Sequence, residues 1–422
     1  MPTGSELDIV VHGATGFAGR LVAAHLATAA PVGTRIGLSG RNGQRLAAVR
    51  EQLGAVAADW PLLITGAEDE PALARLAART RVVLSTVGPY AKHGLPLLLA
   101  CARAGTDYAD LTGELAFVRA GIDAAHELAR RSGARIVPAC GFDSIPSDLG
   151  TLLLHQAALA DGAGLGEAGG TLGDTTYVLV SAAGGFSGGT LTSMVGVFDQ
   201  ARSDPAVAAL VRDPYALFPD RSAEPRLGPE PDDIGVVYNR DLGGWLGPFI
   251  MAGFNTRVVR RTNALSGFAY GRRFRYRELQ GYGSGFAGGL LAHGVTGAVG
   301  VGIAALGFGP TRGLLERLLP EPGTGPGEQT RNNGHFQVRL VTTTTSGARY
   351  AATVAASGDP GYAATSTMLG QTGLALASDR DRLPDAAGVL TPATGLGHTL
   401  IDRLRAAGMR LSVQRLPSGS SV

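Results

Sequence analysis

The chain has 422 residues, of which 45% are hydrophobic and 17% are charged, and its formal net charge is +2. These values indicate a globular protein of two domains, exclude a disordered chain and predict no nucleic-acid partner, because no long basic segment with interleaved aromatics is present. Its two cysteines, Cys101 and Cys140, exclude a disulfide framework and predict no metal cluster, and the first residues show no secretory pattern, so we expect a cytoplasmic protein.

Strands and helices alternate along the first 140 residues. Apolar spacing predicts a buried strand over 8–12 and an amphipathic helix over 17–29. Further predicted strands are 35–40, 81–88, 106–111 and 134–140, and further predicted helices are 43–53, 70–79, 95–104 and 114–132. This alternation is typical of βαβ units, so the sequence predicts an α/β fold whose residues 1–155 form a Rossmann domain with a doubly wound parallel sheet.

The pattern changes after about residue 155. Segments rich in Thr, Val and Tyr predict the strands 174–182, 234–238, 335–345 and 348–356. We expect an α+β domain over 156–387, with an antiparallel or mixed sheet covered by helices near 188–203 and 361–377, that serves substrate binding and dimerisation. The segment 388–422 contains a predicted helix, 394–408, which we expect to pack back on the first domain.

A glycine cluster joins the first strand to the first helix, in 9-IVVHGATGFAGRLVAAHL-26. The spacing of Gly13, Gly16 and Gly19 is a variant of the dinucleotide fingerprint, in which glycines allow a tight turn, approach of a pyrophosphate and close helix packing. The expected cofactor contacts in this loop are Gly13, Ala14, Thr15, Gly16 and Phe17. A glycine turn kept only for packing is the alternative.

The end of the second strand indicates which dinucleotide binds. A carboxylate there would favour NAD, whereas an arginine accommodates the 2′-phosphate of NADP. This chain has Ser39, Gly40, Arg41 and Asn42 and no carboxylate, so we predict NADP, with Arg41 on the phosphate and its neighbours as further contacts. An exposed arginine at a helix start is the alternative for Arg41.

Several segments together resemble a known family: GATGFAGR at 13–20, SGRN at 39–42, STVGPYAKHG at 85–94, YADLTGE at 108–114 and CGFDSIPSDLG at 140–150. They are similar to the saccharopine dehydrogenase-like oxidoreductases and, within them, to the trans-acting enoyl reductases of actinobacterial lipid and polyketide biosynthesis. The resemblance implies NADP-dependent reduction. It also implies that the loop after the strand 81–87 lies beside the nicotinamide, which adds Thr86, Val87, Gly88 and Pro89 to the expected cofactor contacts.

Reduction of an activated C=C bond needs a donor to the developing enolate oxygen and an acid for the α-carbon. The candidates are Tyr90 and His93 on the cofactor loop and Asp143 after the last predicted strand of the first domain. Cofactor packing for Tyr90, a helix-start hydrogen bond for His93 and a capping role for Asp143 are the alternatives. Ser144 precedes Ile145-Pro146 and predicts a helix N-cap.

The leading hypothesis is therefore an NADPH-dependent reductase of a C=C bond in a lipid-like or polyketide-derived substrate. A carbonyl or imine reductase of the saccharopine type is one alternative, although no predicted cleft places the arginines of 257–261 for a diacid substrate. A non-catalytic NADP-binding scaffold at a membrane is the other. No HExxH, CxxC or GxSxG motif occurs, which gives hydrolases no support.

The segment 288–309 has no charged residue and is long enough to cross a bilayer. Many of its residues are glycines, which makes spontaneous insertion marginal. Three interpretations stay open: a buried or homodimer-interface helix, a helix on the inner face of the plasma membrane, and a true span. The arginines at 272, 273, 275 and 277 would suit an anionic lipid surface.

Overall fold

Two seven-stranded sheets organise the chain in a computed structural model that describes residues 5–162, 171–184, 188–228, 230, 232, 235–306 and 325–417. The strands are β1 (Leu7–His12), β2 (Ile36–Gly40), β3 (Leu62–Ile64), β4 (Thr80–Ser85), β5 (Asp107–Asp110), β6 (Arg135–Val137), β7 (Leu172–Ala183), β8 (Val237–Asn239), β9 (Gly244–Pro248), β10 (Arg275–Gly281), β11 (His335–Thr344), β12 (Arg349–Ser357), β13 (Gly388–Val389) and β14 (Arg410–Leu416).

The helices of the described residues are α1 (Phe17–Ala29), α2 (Gly43–Leu53), α3 (Glu70–Arg79), α4 (Tyr90–His93), α5 (Leu95–Ala104), α6 (Leu115–Ser132), α7 (Ile145–Ala160), α8 (Gly188–Ser203), α9 (Pro205–Arg212), α10 (Ala252–Leu265), α11 (Gly285–Leu306), α12 (Glu328–Asn332), α13 (Thr365–Ser378) and α14 (Pro392–Ala406). The helices predicted at 17–29, 43–53, 70–79 and 95–104 are confirmed residue for residue.

The first sheet is parallel, in the order β13-β6-β5-β4-β1-β2-β3. Its strands, apart from the edge strand β3, are buried on both faces. Residues such as Val10 and Val83 contact the core under α3, α5 and α6, whereas Ile9 and Leu84 contact the core under α1 and α13. The strand order reverses between β1 and β4, so their carboxyl ends open the crevice in which such sheets bind ligands. The predicted Rossmann sheet is confirmed.

The second sheet is mixed, in the order β14-β12-β11-β7-β10-β9-β8. Only β7 and β10 pair in parallel among the described strands of this sheet; the other neighbours are antiparallel. Tyr177 pairs with Glu278 on one side and with Leu340 on the other, so these three side chains share one face. Helices α7 and α10 cover this inner face, and the core is continuous with that of the first sheet.

The helix expected at 361–377 does not cover the second sheet, and that part of the prediction is wrong. It begins with a π-helical turn over 360–364 and continues as α13, which packs on α1 and β4 of the first sheet. A side chain at Gly370 would meet the His25 ring, and one at Gly373 would lie 2.7 Å from Leu84. These glycines let α13 approach the parallel sheet closely.

The C-terminal segment contacts both sheets. Strand β13 extends the first sheet beside β6, and α14 follows with a capping box formed by Thr391 and Thr394. Strand β14, which the sequence analysis did not predict, then pairs with β12 at the edge of the second sheet. The boundary placed at residue 155 falls inside α7; the three-part domain division stays a prediction.

Candidate cofactor and active site

The turn after β1 is shaped by glycines. Gly13 has a φ of +86°, in the left-handed region, and a Cβ there would lie 2.7 Å from Val87 Cγ2. A Cβ on Gly19 would collide with the Gly13 carbonyl, so α1 can start this close to β1 only with glycine at position 19. These restrictions fit a loop that brings backbone, not side chains, to a ligand.

Two neighbouring strands hold this turn in place. The Thr86 hydroxyl donates to the carbonyls of His12 (3.1 Å) and Gly13 (3.2 Å), and the Ser39 carbonyl accepts from the N–H groups of Gly13 (2.9 Å) and Ala14 (3.1 Å). Ser39 itself is fully buried, with its hydroxyl 3.0 Å from His12 Nδ1. The structure therefore gives the Ser39 side chain a supporting position inside the sheet, where its partner is His12.

The first turn of α1 faces the crevice without a side-chain cap. Gly16 is the N-cap, and the first intrahelical bond runs from Arg20 N to the Gly16 carbonyl, at 3.0 Å. The Gly16 N–H donates to the Gly13 carbonyl at 2.9 Å, which leaves the N–H groups of Phe17, Ala18 and Gly19 in the first turn to meet an anion, as the positive end of the helix dipole also favours. The Phe17 ring packs edge-on against Tyr362, with 4.6 Å between centroids, so the segment before α13 borders this turn.

Arg41 and Asn42 follow β2 at the rim of the same crevice. The Asn42 Oδ1 accepts from Arg45 N at 3.0 Å and caps α2. Arg41 is exposed, and no described residue forms a hydrogen bond or ion pair with its guanidinium. With the glycine turn and the open α1 terminus, an unpaired arginine here fits a dinucleotide that carries a 2′-phosphate.

The loop after β4 is positioned by a residue that the sequence analysis did not single out. The Glu114 carboxylate accepts from the N–H groups of Tyr90 (2.9 Å) and Ala91 (2.8 Å), and so caps α4 with both oxygens. Just before this cap, Gly88 is exposed and Pro89 is half-exposed. Glu114 therefore fixes the segment expected beside the nicotinamide.

Tyr90 lies beneath this loop and not in the crevice. Its hydroxyl donates to the Ser85 carbonyl at 3.0 Å and accepts from Leu111 N at 3.2 Å, and its side chain is only 6% exposed. Burial, and next the charge of Asp110, raise the pKa of Tyr90 well above its usual value. His93, at the end of α4, places Nδ1 3.5 Å from Glu68 in the loop after β3. The geometry favours neither as the proton donor.

Asp143 has the environment expected of an acid. It is half-buried, no described residue donates a hydrogen bond to its carboxylate, and burial raises its pKa to about 7. Its Oδ2 lies 3.6 Å from where a Cβ on Gly113 would stand, beside the Met251 methyl group. Ser144 occupies the N-cap position of α7, but its hydroxyl donates to Asn255 Oδ1 at 3.2 Å instead of capping the helix.

The second sheet contributes an apolar wall near Asp143. The Tyr177 and Phe249 rings stack with 5.6 Å between centroids, and Met251 is 6% exposed. Burial, and then the charges of Glu278 and Asp143, raise the pKa of Tyr177 well above its usual value. These side chains are buried and make the surroundings of Asp143 apolar. It was not foreseen because Tyr177 and Met251 are far from Asp143 along the chain.

Asp110 supports the turn that carries Asp143. Its carboxylate accepts from Ala139 N (2.9 Å), Thr112 N (3.0 Å) and the Tyr108 hydroxyl (2.9 Å). Ala139 has a φ of +61°, a left-handed conformation that is unfavourable for a residue with a Cβ. Burial raises the pKa of Asp110 to about 6, although the three hydrogen-bond donors lower it. Its position at the end of β5 was the available sequence signal.

A buried carboxyl, Glu278, lies deeper in the same region. It accepts from the Tyr276 hydroxyl and from Asn255 Nδ2, both at 2.8 Å, and is 1% exposed. Burial raises its pKa from 4.5 to about 8. The folded protein thus keeps this proton up to about pH 8, whereas the unfolded chain releases it near 4.5, so stability is lost as the pH rises through this window.

We expect Glu278→Gln to remove most of this dependence. One pKa unit corresponds to about 1.4 kcal/mol, so wild type should lose about 4 kcal/mol more than the variant between pH 5 and pH 9. Urea denaturation at both pH values measures the free energy of unfolding of each protein. Because the variant keeps every other buried carboxyl, the pH dependence that remains in it is the contribution of those groups. Equal losses in the two proteins would show that Glu278 is ionised when folded.

The arginines of α10 are structural. Arg257, Arg260 and Arg261 are at most 4% exposed and donate to main-chain carbonyls of residues 211–217, 276 and 389. Arg257 also pairs with Asp232. They tie α10 to the preceding loop and to β13, so they do not present a diacid-binding cluster. Among the described residues, no group of three or more His, Cys, Asp or Glu side chains is arranged to hold a metal.

Comparison with known proteins agrees with this geometry. Residues 9–137 match the family model of the saccharopine dehydrogenase NADP binding domain, which confirms NADP as the cofactor. A trans-acting enoyl reductase of Mycobacterium tuberculosis is 49% identical, with 98% of this chain and 99% of the relative covered, and that of Mycobacterium ulcerans is 49% identical, with 97% and 98% covered. Another Mycobacterium tuberculosis relative is 51% identical over 99% of both chains.

Among solved structures, saccharopine dehydrogenase (L-Glu forming) of Saccharomyces cerevisiae superposes with a TM-score of 0.53, covering 97% of this chain and 100% of that one. The sequence identity is 12%, so this likeness establishes the fold alone. The two-sheet arrangement described above is therefore shared with a dehydrogenase of known structure.

Proposed function

The chain belongs to the family of the trans-acting enoyl reductases, and we propose that it uses NADPH to reduce an activated C=C bond of a lipid-like or polyketide-derived acyl chain. The names of its full-length relatives give the reaction class. The observation that carries the proposal in the structure is Asp143, a half-buried carboxyl with a pKa near 7 at the cofactor crevice. A C=C reductase needs an acid of this kind.

The proposed reaction transfers a hydride and a proton. NADPH, when bound, supplies the hydride to the β-carbon of the substrate. Asp143 in its protonated form donates its proton to the α-carbon, and water then reprotonates the carboxylate. Burial keeps the neutral acid populated near pH 7, which an exposed aspartate would not achieve.

Cofactor positioning is assigned to main-chain groups and to one arginine. The N–H groups at the start of α1 would meet the pyrophosphate, and Arg41 the 2′-phosphate. Glu114 would keep the loop at Gly88 and Pro89 beside the nicotinamide through its hydrogen bonds to Tyr90 N and Ala91 N. Thr86 and Ser39 would act indirectly, because they hold the glycine turn.

The substrate class follows from the apolar wall. Tyr177 and Met251, which are 1% and 6% exposed, make the surroundings of Asp143 apolar, and the arginines of α10 are satisfied elsewhere. An amino-diacid substrate would leave its carboxylates without partners against this wall, which is costly. This supports an apolar acyl chain over the carbonyl or imine alternative. We also propose a cytoplasmic location and a role in lipid synthesis.

The test is NADPH oxidation with defined substrates. The trans-2-octenoyl thioester of N-acetylcysteamine should be reduced to the saturated thioester, while the 3-oxo thioester of the same length should not react. Reduction of the 3-oxo compound alone would establish the carbonyl alternative. NADPH binding without turnover of either, or of an imine, would support the non-catalytic scaffold.

A further inference from the structure

Helix α11 presents an apolar surface to solvent. It has 22 residues and no charged side chain, and it is the one helix of the described residues long and apolar enough to cross a bilayer. Phe286 is 89% exposed, Leu290 68% and Val301 69%. Within a single chain, burial therefore covers only part of this helix, and the dimer-interface and membrane interpretations stay predictions; residues 307–309 of the predicted stretch lie outside the described part.

The two halves of α11 have different environments. In the first half, Gly288, Gly289 and Ala292 are buried, and a Cβ on Gly289 would lie 2.8 Å from the Trp245 ring. The Trp245 indole donates to the Gly285 carbonyl at 2.9 Å. This half is attached to strand β9 and cannot leave the protein without breaking that packing.

Over residues 297–301 of the second half, the helix is exposed on every side. The five consecutive residues 297–301 are all exposed, and at about 100° per residue they cover the whole circumference. All five are glycine, alanine or valine. A second copy of the chain would cover one face and leave the others in water, whereas hydrocarbon surrounds a helix completely and matches its lack of charge.

We propose that α11 anchors the enzyme to a lipid membrane by inserting its second half, from Gly297 onward, into one leaflet without crossing the bilayer. Residues 297–306 are about 15 Å long, half of the roughly 30 Å hydrocarbon core. The chain is next described at Gly325, which packs on Phe17 of the first domain. The 18 residues between can extend to about 60 Å, enough to return to the same side.

Aromatic side chains mark the base of the inserted half. Trp245 is partly exposed, its ring lies 5.6 Å from that of His293, and Tyr238, 52% exposed, packs edge-on against it at 5.2 Å. Tryptophan and tyrosine with one apolar and one wet side are the residues that occupy the headgroup level of membranes. Their position at the point where α11 leaves the sheet agrees with insertion to this depth.

Two of the four arginines expected to assist binding, Arg275 and Arg277, do not share this surface. A Cβ on Gly247 would lie 3.0 Å from Thr296 of α11, so position 247 faces this helix. Gln280 pairs with Gly247 and therefore points to the same face of the sheet, as do Glu278 and Tyr276 by strand alternation. Arg275 and Arg277 alternate with them and point to the opposite face. Anchoring by α11 is therefore apolar and should be insensitive to salt, unlike binding by a polybasic segment.

The test is co-flotation with vesicles of pure phosphatidylcholine, which carry no net charge, in about 0.1 M and about 1 M NaCl, where the Debye length is about 10 Å and about 3 Å. Wild type should float equally in both. The double variant Val299→Asp/Val301→Asp should bind at least tenfold more weakly, while Val32→Asp, which alters a fully exposed valine of the first domain, should bind as wild type. NADPH binding by the double variant confirms that it is folded.

Depth is measured with the two tryptophans. Trp60 is buried and serves as an internal reference, so quenching by spin-labelled lipid reports on Trp245. Labels at the headgroup should quench it more than labels deep in the acyl chain; the reverse would contradict insertion into one leaflet. Failure of wild type to float, or full flotation of the double variant, would overturn the proposal. The proposal would also be overturned if wild type formed a dimer and did not bind vesicles, and if the double variant were a monomer. Enoyl reduction of a short thioester tests the proposed function separately.

Discussion

Replacing Asp143 with asparagine is expected to lower kcat for enoyl reduction at least a hundredfold and to leave the Kd for NADPH unchanged. Asparagine keeps the size and polarity of the side chain but cannot donate a proton to carbon, and general acids contribute about 10²–10⁴ in rate. In wild type the rate should fall as the pH rises above about 7, because the neutral form of Asp143 is then lost. The residual activity of Asp143→Asn should not show this fall in rate above about pH 7.

Two matched variants separate Asp143 from the other sequence candidates. Tyr90→Phe removes a hydroxyl that bonds to main-chain groups beneath the loop, and His93→Ala removes a side chain that lies beside Glu68. Both should retain kcat within about threefold, since the Tyr90 hydroxyl is engaged by the main chain and His93 has Glu68 as its neighbour. A full rate and a wild-type pH profile for Asp143→Asn, measured by single-turnover kinetics, would exclude Asp143 as the acid.

Replacing Arg41 with alanine should raise the Kd for NADPH by about tenfold to a hundredfold and leave the Kd for NADH unchanged. The guanidinium has no partner among the described residues, so its charge is available to the 2′-phosphate. Hydrogen bonds between charged groups are worth about 1.5–3 kcal/mol, which corresponds to this change in affinity. Titration with the two nucleotides, followed by fluorescence, measures both constants.

Asn42→Ala is the control for Arg41→Ala. It removes the side-chain cap of α2 and should lower the free energy of unfolding by about 1 kcal/mol, with little change in the preference for NADPH over NADH. If Arg41→Ala weakened both nucleotides equally, or if Asn42→Ala abolished the preference, the assignment of the 2′-phosphate to Arg41 would be wrong.

The first domain was predictable because its signals are local. Apolar periodicity and glycines within a few residues of one another fix each βαβ unit, so α1, α2, α3 and α5 begin and end where the sequence pattern places them. Helix α13 was assigned to the wrong sheet because its apolar residues predict that it is buried but do not identify the sheet against which it packs. Strand β14, with partly exposed residues at a sheet edge, lacks a strong pattern.

The candidate site was predictable at the level of loops and not of contacts. The glycine turn and Arg41 follow from spacing, since phosphate binding needs backbone at a helix start and a cation at the next strand. Which of Ser39 and Asn42 point to the ligand depends on His12 and Arg45, and the pairing of Glu114 with Tyr90 N joins residues 24 apart. Such long-range hydrogen bonds leave no periodic trace in a sequence.

The most direct test of the account uses NADPH carrying deuterium at C4, in each stereochemical form, with the trans-2-octenoyl thioester. Mass spectrometry of the product should locate one deuterium on the β-carbon, from one of the two forms only. In deuterated water with ordinary NADPH, the label should instead appear on the α-carbon, and its incorporation should be slowed in Asp143→Asn. Deuterium from NADPH on a carbon that bears oxygen or nitrogen would contradict enoyl reduction.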